Sequence, residues 1–600
     1  MTDMPHAASF SEPRGVHPSG TTPAGLQFTA QLRRRRRIVL GLNVATYATL
    51  VAGLAWVLGT GGWSAVDVAI LVCALIAAPW TVLGFWNAIL GLWLLHGVPD
   101  GLDRVAPFAR AGDGTEPLRL RTAVLMTLRN EDPARAMTRL SVVKESLDAT
   151  GHGDAFAYFI LSDTSRPEIA AAEEAAVAAW RAGIPDPDRI VYRRRDVNDG
   201  FKAGNVRDFL DRWGRDHDLM LPLDADSLMT GEAIVRLVRM MQAHPGLGIL
   251  QSLVVGAPSR SAFARIFQFG MRAGMRAYTF GSAWWIGDCG PFWGHNALVR
   301  IAPFAERCHL PVLPGPPPLG GAVLSHDQVE ATLMRRAGYE VRVLPVEHGS
   351  YEENPPTLPE FSRRDVRWCQ GNLQYLKLLD LPGLLPMSRF QLVWAILMFL
   401  GVPAMTLLVA LAPLKLLDGE DASSFPAGLA AALYVAYLLM YLSPKLAGLA
   451  DVLLTSGGVA RYGGGLLFLT GAVVEIVASF LIGAVTTFRL TIFMGGLLFG
   501  RSITWDGQAR DAHDIPWAEA ARGLWAPTAF GIVVCGALAL LSPTVLLWSL
   551  PLTLGYLVAV PFTVLTASTA MGERFTRLRL CAVPEEFAMP PELARVRAGS

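Results

Sequence analysis

The stretch Leu221-Pro-Leu-Asp224-Ala-Asp226-Ser227 closes an apolar run with two carboxylates one residue apart. If the run is a strand, both stand at its carboxyl edge and make a hard-oxygen site for Mg2+ or Mn2+. Such an ion neutralises a diphosphate leaving group. The same residues could instead cap a following helix. Four more stretches carry residue types suited to the same chemistry. Phe201-Lys202-Ala203-Gly204-Asn205 offers an amine and a close-approaching backbone to a phosphate, or else a turn with a solvated lysine. Ile160-Leu161-Ser162-Asp163-Thr164 ends another apolar run in a carboxylate that could accept from the ring N–H of a uracil, or cap a turn. In Leu324-Ser325-His326-Asp327-Gln328, an ionised Asp327 facing a sugar hydroxyl could act as general base, or cap the helix that follows. A nucleophile activated by His326–Asp327 is set aside, because no Ser or Cys stands in a supporting motif. In Arg364-Asp-Val-Arg367-Trp368-Cys-Gln-Gly371-Asn372, Arg367 could hold a departing diphosphate and Trp368 could face a sugar ring. The bland reading of that stretch is a helix whose Trp368 packs on a membrane-proximal core.

These residues need a scaffold that brings strand ends together. Residues 97–390 alternate short apolar runs with helical stretches, broken by Gly, Pro and Asp. Ala123–Thr127, Ala157–Leu161, Arg189–Tyr192, Leu219–Leu223 and Gly248–Val255 read as strands; Pro167–Arg181, Gly231–Ala243 and Ser261–Ala277 read as helices. That alternation predicts an α/β domain with a largely parallel sheet, whose ligands bind at the carboxyl ends of the strands.

The domain is flanked by membrane segments. Ile38–Leu58 and Val66–Leu95 are each long enough to span, so residues 31–96 read as two transmembrane helices. The arginine run Arg33–Arg37 puts the N-terminus in the cytosol, behind a disordered tail of residues 1–30. Gln391–Leu414 and Phe425–Leu442 span again, joined outside by Asp418–Ser424. Lys445–Arg461 reads as an amphipathic segment on the cytosolic surface. Gly463–Gly500 is one apolar block, taken as a hairpin of two spans; a block lying in the interface would give two fewer. A polar cytosolic loop (501–523), spans at Leu524–Leu541 and Val545–Ala567, and a cytosolic tail (571–600) complete residues 391–600. The hairpin gives eight spans, the in-plane block six. Intramembrane Glu475 and Arg489 are candidates to line a polar passage.

Composition agrees. The 600 residues are 52% hydrophobic and only 17% charged, against about a quarter charged in soluble domains. A net charge of +1 leaves no basic field for nucleic acid. Six scattered cysteines without CxxC spacing suggest reduced thiols and no metal cluster.

The order Asp163, Lys202-Ala-Gly-Asn205, Asp224-x-Asp226, Asp327, Arg367-Trp368 resembles the processive family 2 glycosyltransferases, the group of cellulose, chitin and hyaluronan synthases. The resemblance implies a GT-A fold and inverting transfer from a UDP-sugar. It implies Asp163 for the uracil, Asp224 and Asp226 for diphosphate and metal, Lys202 and Arg367 for the diphosphate, Asp327 as base and Trp368 for the acceptor. Arg129-Asn-Glu-Asp132, Phe292-Trp-Gly-His-Asn296, Ser325-His-Asp327, Arg335-Arg-Ala-Gly338, Gly349-Ser-Tyr-Glu-Glu353 and Arg367-Trp-Cys-Gln-Gly-Asn372 are similar to the glucans biosynthesis glucosyltransferase H family. Membership implies an α/β GT-A-like cytosolic domain inserted between transmembrane helices of a multi-pass protein in a bacterial inner membrane. The implied substrates are UDP-glucose and a growing, typically beta-1,2-linked, periplasmic glucan. Membrane lipid, acyl carrier protein and periplasmic glucan-processing proteins are the implied partners. Cellulose-type synthases carry Thr-Glu-Asp where this chain has Ser325-His326-Asp327, and Gln at Arg364, which moves the reading away from cellulose. About 30 residues after the last span leave no room for a cyclic-dinucleotide-binding barrel. By analogy, Ser502-Ile-Thr504-Trp505 would gate the nucleotide. A rival class, a nucleotide-sugar-binding transporter without transferase activity, would leave this ordered set of residues unused.

Overall fold

The computed structural model describes residues 29–418, 425–503 and 511–599. The Asp418–Ser424 connection beyond Asp418, Thr504-Trp505 of the expected gate, and nearly all of the N-terminal tail lie outside them.

The α/β domain is built on an eight-stranded mixed sheet. Its strands are β1 (Thr122–Leu128), β2 (Phe156–Ser162), β3 (Ile190–Arg194), β4 (Leu219–Asp224), β5 (Leu228–Met229), β6 (Leu247–Gly256), β7 (Ala297–Arg300) and β8 (Glu340–Glu352), in the order β3-β2-β1-β4-β7-β6-β8-β5. β1 to β4 run parallel; β7 is antiparallel to both β4 and β6. The near-continuous apolar runs of β1, β2 and β4 follow from helices covering both faces. One face is closed by the helices Pro133–Ala149 and Gly231–Ala243, the other by Phe201–Trp213 and His326–Arg336. All five expected strands are present. β5, β7 and β8 are additional: β5 has two residues and β7 four, and β8 interrupts its apolar residues with Arg342, Glu347, His348 and Gly349.

The helix expected at Ser261–Ala277 runs on to Ile286. Its Ser261 cap accepts from the Ala264 N–H at 3.2 Å. It is the floor on which the membrane helices stand. A Cβ placed on Gly91 would meet the Ala277 carbonyl oxygen at 1.7 Å, so the two backbones touch as small-residue crossings do.

Among the described residues, six helices are long and apolar enough to cross a membrane, and the bent pair Pro543–Leu557 and Ala559–Ala567 is a seventh candidate. The expected hairpin over Gly463–Gly500 is instead one 34-residue helix, Gly465–Leu498, with no turn-forming break inside it. It is about 50 Å long, yet both flanks sit on the α/β domain's side. Gly463 packs on Phe587 of the tail, and the Ile503 N–H donates to Gln370 Oε1 at 3.0 Å. Between those ends its middle packs among the other long helices, with Thr491 Oγ1 2.9 Å from Thr406 Oγ1 of the Pro386–Leu416 helix. At the near side, Arg36 reaches Ile286 O at 2.7 Å and Asp288 at 2.6 Å, and the Thr569 N–H reaches Asp514 at 2.7 Å. At the far side, Lys415 meets Asp67 at 2.7 Å.

Two local expectations are corrected. Lys445 belongs to the end of the Ala427–Leu454 helix and not to a surface segment. There it pairs with Glu475, which is 5% exposed, accepts from Ser479 at 2.8 Å and presses on Gly270. Glu475 thus joins three helices. The tail is also part of the domain. Leu593 and Val596 enter the core beneath the sheet, and Ser146 donates to Glu592 at 2.5 Å.

Candidate active site

The register of the central strands fixes the site. Thr127 of β1 stands opposite Asp224 of β4, and Leu128 opposite Ser162 of β2. The ends of β2 and β4 are therefore level, and Asp163 and Asp224 flank β1 at two strand spacings, about 9.5 Å.

Asp163 is buried and pinned. Its N–H donates to Leu128 O at 2.8 Å, and Arg195 grips its carboxylate with both Nε and Nη2 at 2.7 Å. Arg195 was not singled out from the sequence, although a run of arginines, Arg193–Arg195, at a strand end was the available signal. It organises the next turn, donating to Asp199 O at 3.0 Å and Phe201 O at 3.1 Å. That turn passes through Gly200 and Phe201, both at positive φ, and opens the Phe201–Trp213 helix. Lys202 in its first turn donates to Asp224. The close backbone approach expected at Gly204 is internal: a Cβ there would meet Asp199 O at 1.8 Å. The glycine serves the turn that delivers Lys202.

Asp224 closes β4. Its N–H donates to Ser227 Oγ at 3.1 Å, and Ser227 fixes the Asp224-Ala-Asp226 turn. Asp224 and Asp226 are half-buried. Among the described residues no three His, Cys, Asp or Glu side chains form a complete metal cage. A carboxylate pair nonetheless suits Mg2+ or Mn2+, which commonly take one or two protein carboxylates and complete their shell with water and substrate phosphate.

Asp327 lies in the first turn of the His326–Arg336 helix, where it accepts the Gln328 N–H at 3.0 Å. A Cβ on Gly294 would sit 3.4 Å from Asp327 Cβ and 3.8 Å from Oδ2. The next residue, His295, stands 3.5 Å from Ser227 Oγ through Nδ1 and 3.4 Å from Glu352 Oε2 through Nε2. One line of contacts thus runs from Asp327 to the Asp224–Asp226 turn. Burial pushes the Glu352 carboxyl upward and Asp226 and Asp224 add to this, while His295 and Arg364 pull back. For His326, burial opposes the charged form, but Glu330, 2.9 Å from Nδ1, outweighs it and the imidazole is raised.

The helix Leu358–Leu373 backs directly onto the Ser325-His-Asp327 turn. Gly371 permits this, since a Cβ would meet Ser325 Oγ at 2.1 Å. Tyr375 donates to Ser325 O at 2.8 Å. Arg367 is buried at 4% exposure, and Trp368 is 45% exposed. Arg364 lies 4.8 Å from the Trp368 ring centroid and 5.4 Å from that of Phe361, a cation–π stack that holds the indole. The structure therefore gathers Lys202, Asp224, Asp226 and Asp327 around one edge, with Trp368 on the adjoining helix. Asp163 is there too, but occupied by Arg195. A cavity of about 470 Å3 opens at the opposite, amino end of the strands, beside Lys144, Trp180 and Arg189; none of these site residues lines it.

A GT-A-like sheet with carboxylates at its switch edge, flanked by membrane helices, defines a multi-pass family 2 glycosyltransferase. The family described as Glycosyl transferase family group 2 matches residues 219–443. Glucans biosynthesis glucosyltransferase H of Caulobacter vibrioides (strain NA1000 / CB15N) is 36% identical over 598 residues, covering 94% of this chain and 87% of that one. The protein of the same description from Xanthomonas campestris pv. campestris (strain B100) is 35% identical, covering 96% and 90%. The chain belongs to the glucans biosynthesis glucosyltransferase H family. Among solved structures, a mannosyltransferase from Pyrobaculum calidifontis in complex with GDP-Man and Mn2+ aligns with 64% of this chain and 98% of its own, at 16% identity and a TM-score of 0.38. That likeness is too slight to define the fold by itself.

Proposed function

We propose that this glycosyltransferase is an inverting, processive enzyme that polymerises glucose from UDP-glucose into the beta-1,2-linked backbone of periplasmic glucans. The observation that carries the reading is the line of contacts from Asp327 through Gly294, His295 and Ser227 to Asp224. It supports a reading in which Asp327 is a general base close to a diphosphate site at Asp224, as glycosyl transfer requires. Asp327 takes the proton of the acceptor hydroxyl as its oxygen bonds to C1 of glucose. The C1–oxygen bond to the diphosphate breaks on the opposite face, and UDP leaves with C1 inverted. Lys202 and Arg367 stabilise the charge that develops on the diphosphate. Mg2+ or Mn2+, held by Asp224 and Asp226, would supply further charge neutralisation. Asp163 receives the uracil through the geometry that Arg195 imposes. Trp368 is the platform for the acceptor sugar.

A glucan is polar at every residue and crosses hydrocarbon only along a polar path. Half-buried Arg489 and the Thr406–Thr491 hydroxyl pair, 2.9 Å apart within otherwise apolar helices, support such a path. In this reading the catalytic domain is cytosolic, the membrane is the bacterial inner membrane, and periplasmic processing proteins receive the chain. Acyl carrier protein is a candidate cytosolic partner.

The test incubates the purified protein in nanodiscs with radiolabelled UDP-glucose and Mg2+, beside Asp327→Asn. Label entering a polymer only with the native protein, and released by a beta-1,2-specific glucanase, upholds the reading. UDP-glucose binding without UDP release, even with a short glucan primer, overturns it in favour of the transporter class. A polymer cut only by a cellulase moves the product to the cellulose type.

A further inference from the structure

Two stretches close to the site, Phe292–Asn296 and Gly349–Glu353, have no part in the mechanism above, yet they are locked to each other. Asn296 is fully buried and held at φ 51°. A non-glycine residue in that region is strained, and the surroundings must impose it. They do so through its amide, which donates to Ser350 Oγ at 3.0 Å and Tyr351 O at 3.2 Å. Ser252 Oγ donates to the Asn296 carbonyl at 2.6 Å. The effect is to aim the preceding residue, His295, at Glu352, with 3.4 Å between Nε2 and Oε2. The pair stays partly open, with 14% of the His295 and 20% of the Glu352 side chain exposed. Its place is particular: Ser227 and the Asp224–Asp226 turn on one side, Gly294 and Asp327 on the other.

The pair therefore lies between Asp327 and the Asp224–Asp226 turn, where an acceptor hydroxyl would meet the donor sugar. A sugar is neutral, so its orientation is chosen by hydrogen bonds and ring stacking. An imidazole N–H with a carboxylate offers a donor and acceptors side by side, matched to two neighbouring hydroxyls of one ring. We propose that His295 and Glu352 bind the terminal sugar of the acceptor and determine which of its hydroxyls faces Asp327, and so the linkage formed. This rests on the glucosyltransferase reading and on Asp327 as its base.

Glu352→Gln and His295→Gln keep side-chain size and some hydrogen bonding. Each is assayed as full-length protein in nanodiscs, with radiolabelled UDP-glucose and a defined beta-glucan primer, and products are analysed by methylation. The expected result is a three- to ten-fold rise in primer KM, roughly the loss of one neutral hydrogen bond, with donor KM unchanged and new linkages in the product. Thermal midpoints near the native value identify variants that fold; if His295→Gln does not fold, Glu352→Gln decides alone. Unchanged primer KM with a single native linkage overturns the proposal. A rise in donor KM that matches the rise for primer also overturns it and moves the pair to the diphosphate side. If the native protein makes no polymer, the glucosyltransferase reading falls first, an outcome distinct from both.

Discussion

In the seam between the domain and its membrane helices, Arg272 is 5% exposed and lies between Glu347 and Glu585; Arg265 reaches Glu586 at 2.7 Å; Asp288 is shared by Arg36 and Arg335. At the carboxyl edge of the sheet, 34% of the Asp224 side chain is exposed, and Asp226, Asp327 and Glu352 are all half-buried. Both regions are rich in charge. In the seam each carboxylate meets a cation, and around Arg272 and Arg265 the contact is almost wholly buried. At the edge carboxylates converge where solvent and substrate still reach them. Charge sealed between elements holds a structure together, and charge left accessible at strand ends is available for chemistry.

The contrast can be broken by single substitutions. Asp327→Asn should lower turnover by about 10^2 to 10^4-fold, the range for loss of a general base, with an unchanged unfolding midpoint. An equal loss of stability would make Asp327 a cap and no more. Arg272→Met should do the reverse. It leaves Glu585 in a buried contact without its cation and Glu347 with only the more distant Arg461 at 3.6 Å, at about 3–5 kcal/mol, read by denaturant unfolding in detergent. The turnover of molecules that remain folded should stay close to native. Lys202→Met removes one cation from the diphosphate site and should lower kcat by about 10^2-fold or somewhat more. Because Lys202 is exposed enough to exchange Asp224 for substrate, stability should hardly change.

The sequence disclosed the edge far better than the seam. Asp163, Asp224 and Asp327 each close an apolar run or open a helix, and strand order places such residues together without further information. Arg195, His295 and Glu352 escaped, because their roles arise from contacts across distant loops that no local spacing encodes. The seam was illegible for the same reason. Nothing near Arg272 in the chain announces Glu585, 313 residues away. The Gly465–Leu498 helix shows the limit most directly: its apolar block is long enough for two spans, and only the structure shows that it is one unbroken helix.

Trp368 tests the border between the regions, since its helix touches both the Asp327 turn and the membrane helices. Trp368→Ala should weaken acceptor binding by about 1 kcal/mol, roughly five-fold in primer KM, with donor KM unaltered. A matching loss of stability would assign the indole to the seam.

Asp365, on the same helix, gives the sharpest sign. Burial pushes its carboxyl up to about 7, and the neighbouring Arg364 pulls it only partly back. The unfolded carboxyl titrates near 4. Between these values the folded protein binds the extra proton, so the stabilisation is complete below about pH 4 and is lost as pH rises through 7. The native unfolding midpoint should therefore fall between pH 5 and pH 8 by more than that of Asp365→Asn, which carries no proton to lose. Parallel profiles would mean that water reaches Asp365 freely and that it belongs with the open edge. A flatter profile for the variant places it in the seam. It would then be a carboxyl kept neutral beside the arginine that stacks on Trp368, and its ionisation would tighten the hold on that arginine just as stability declines.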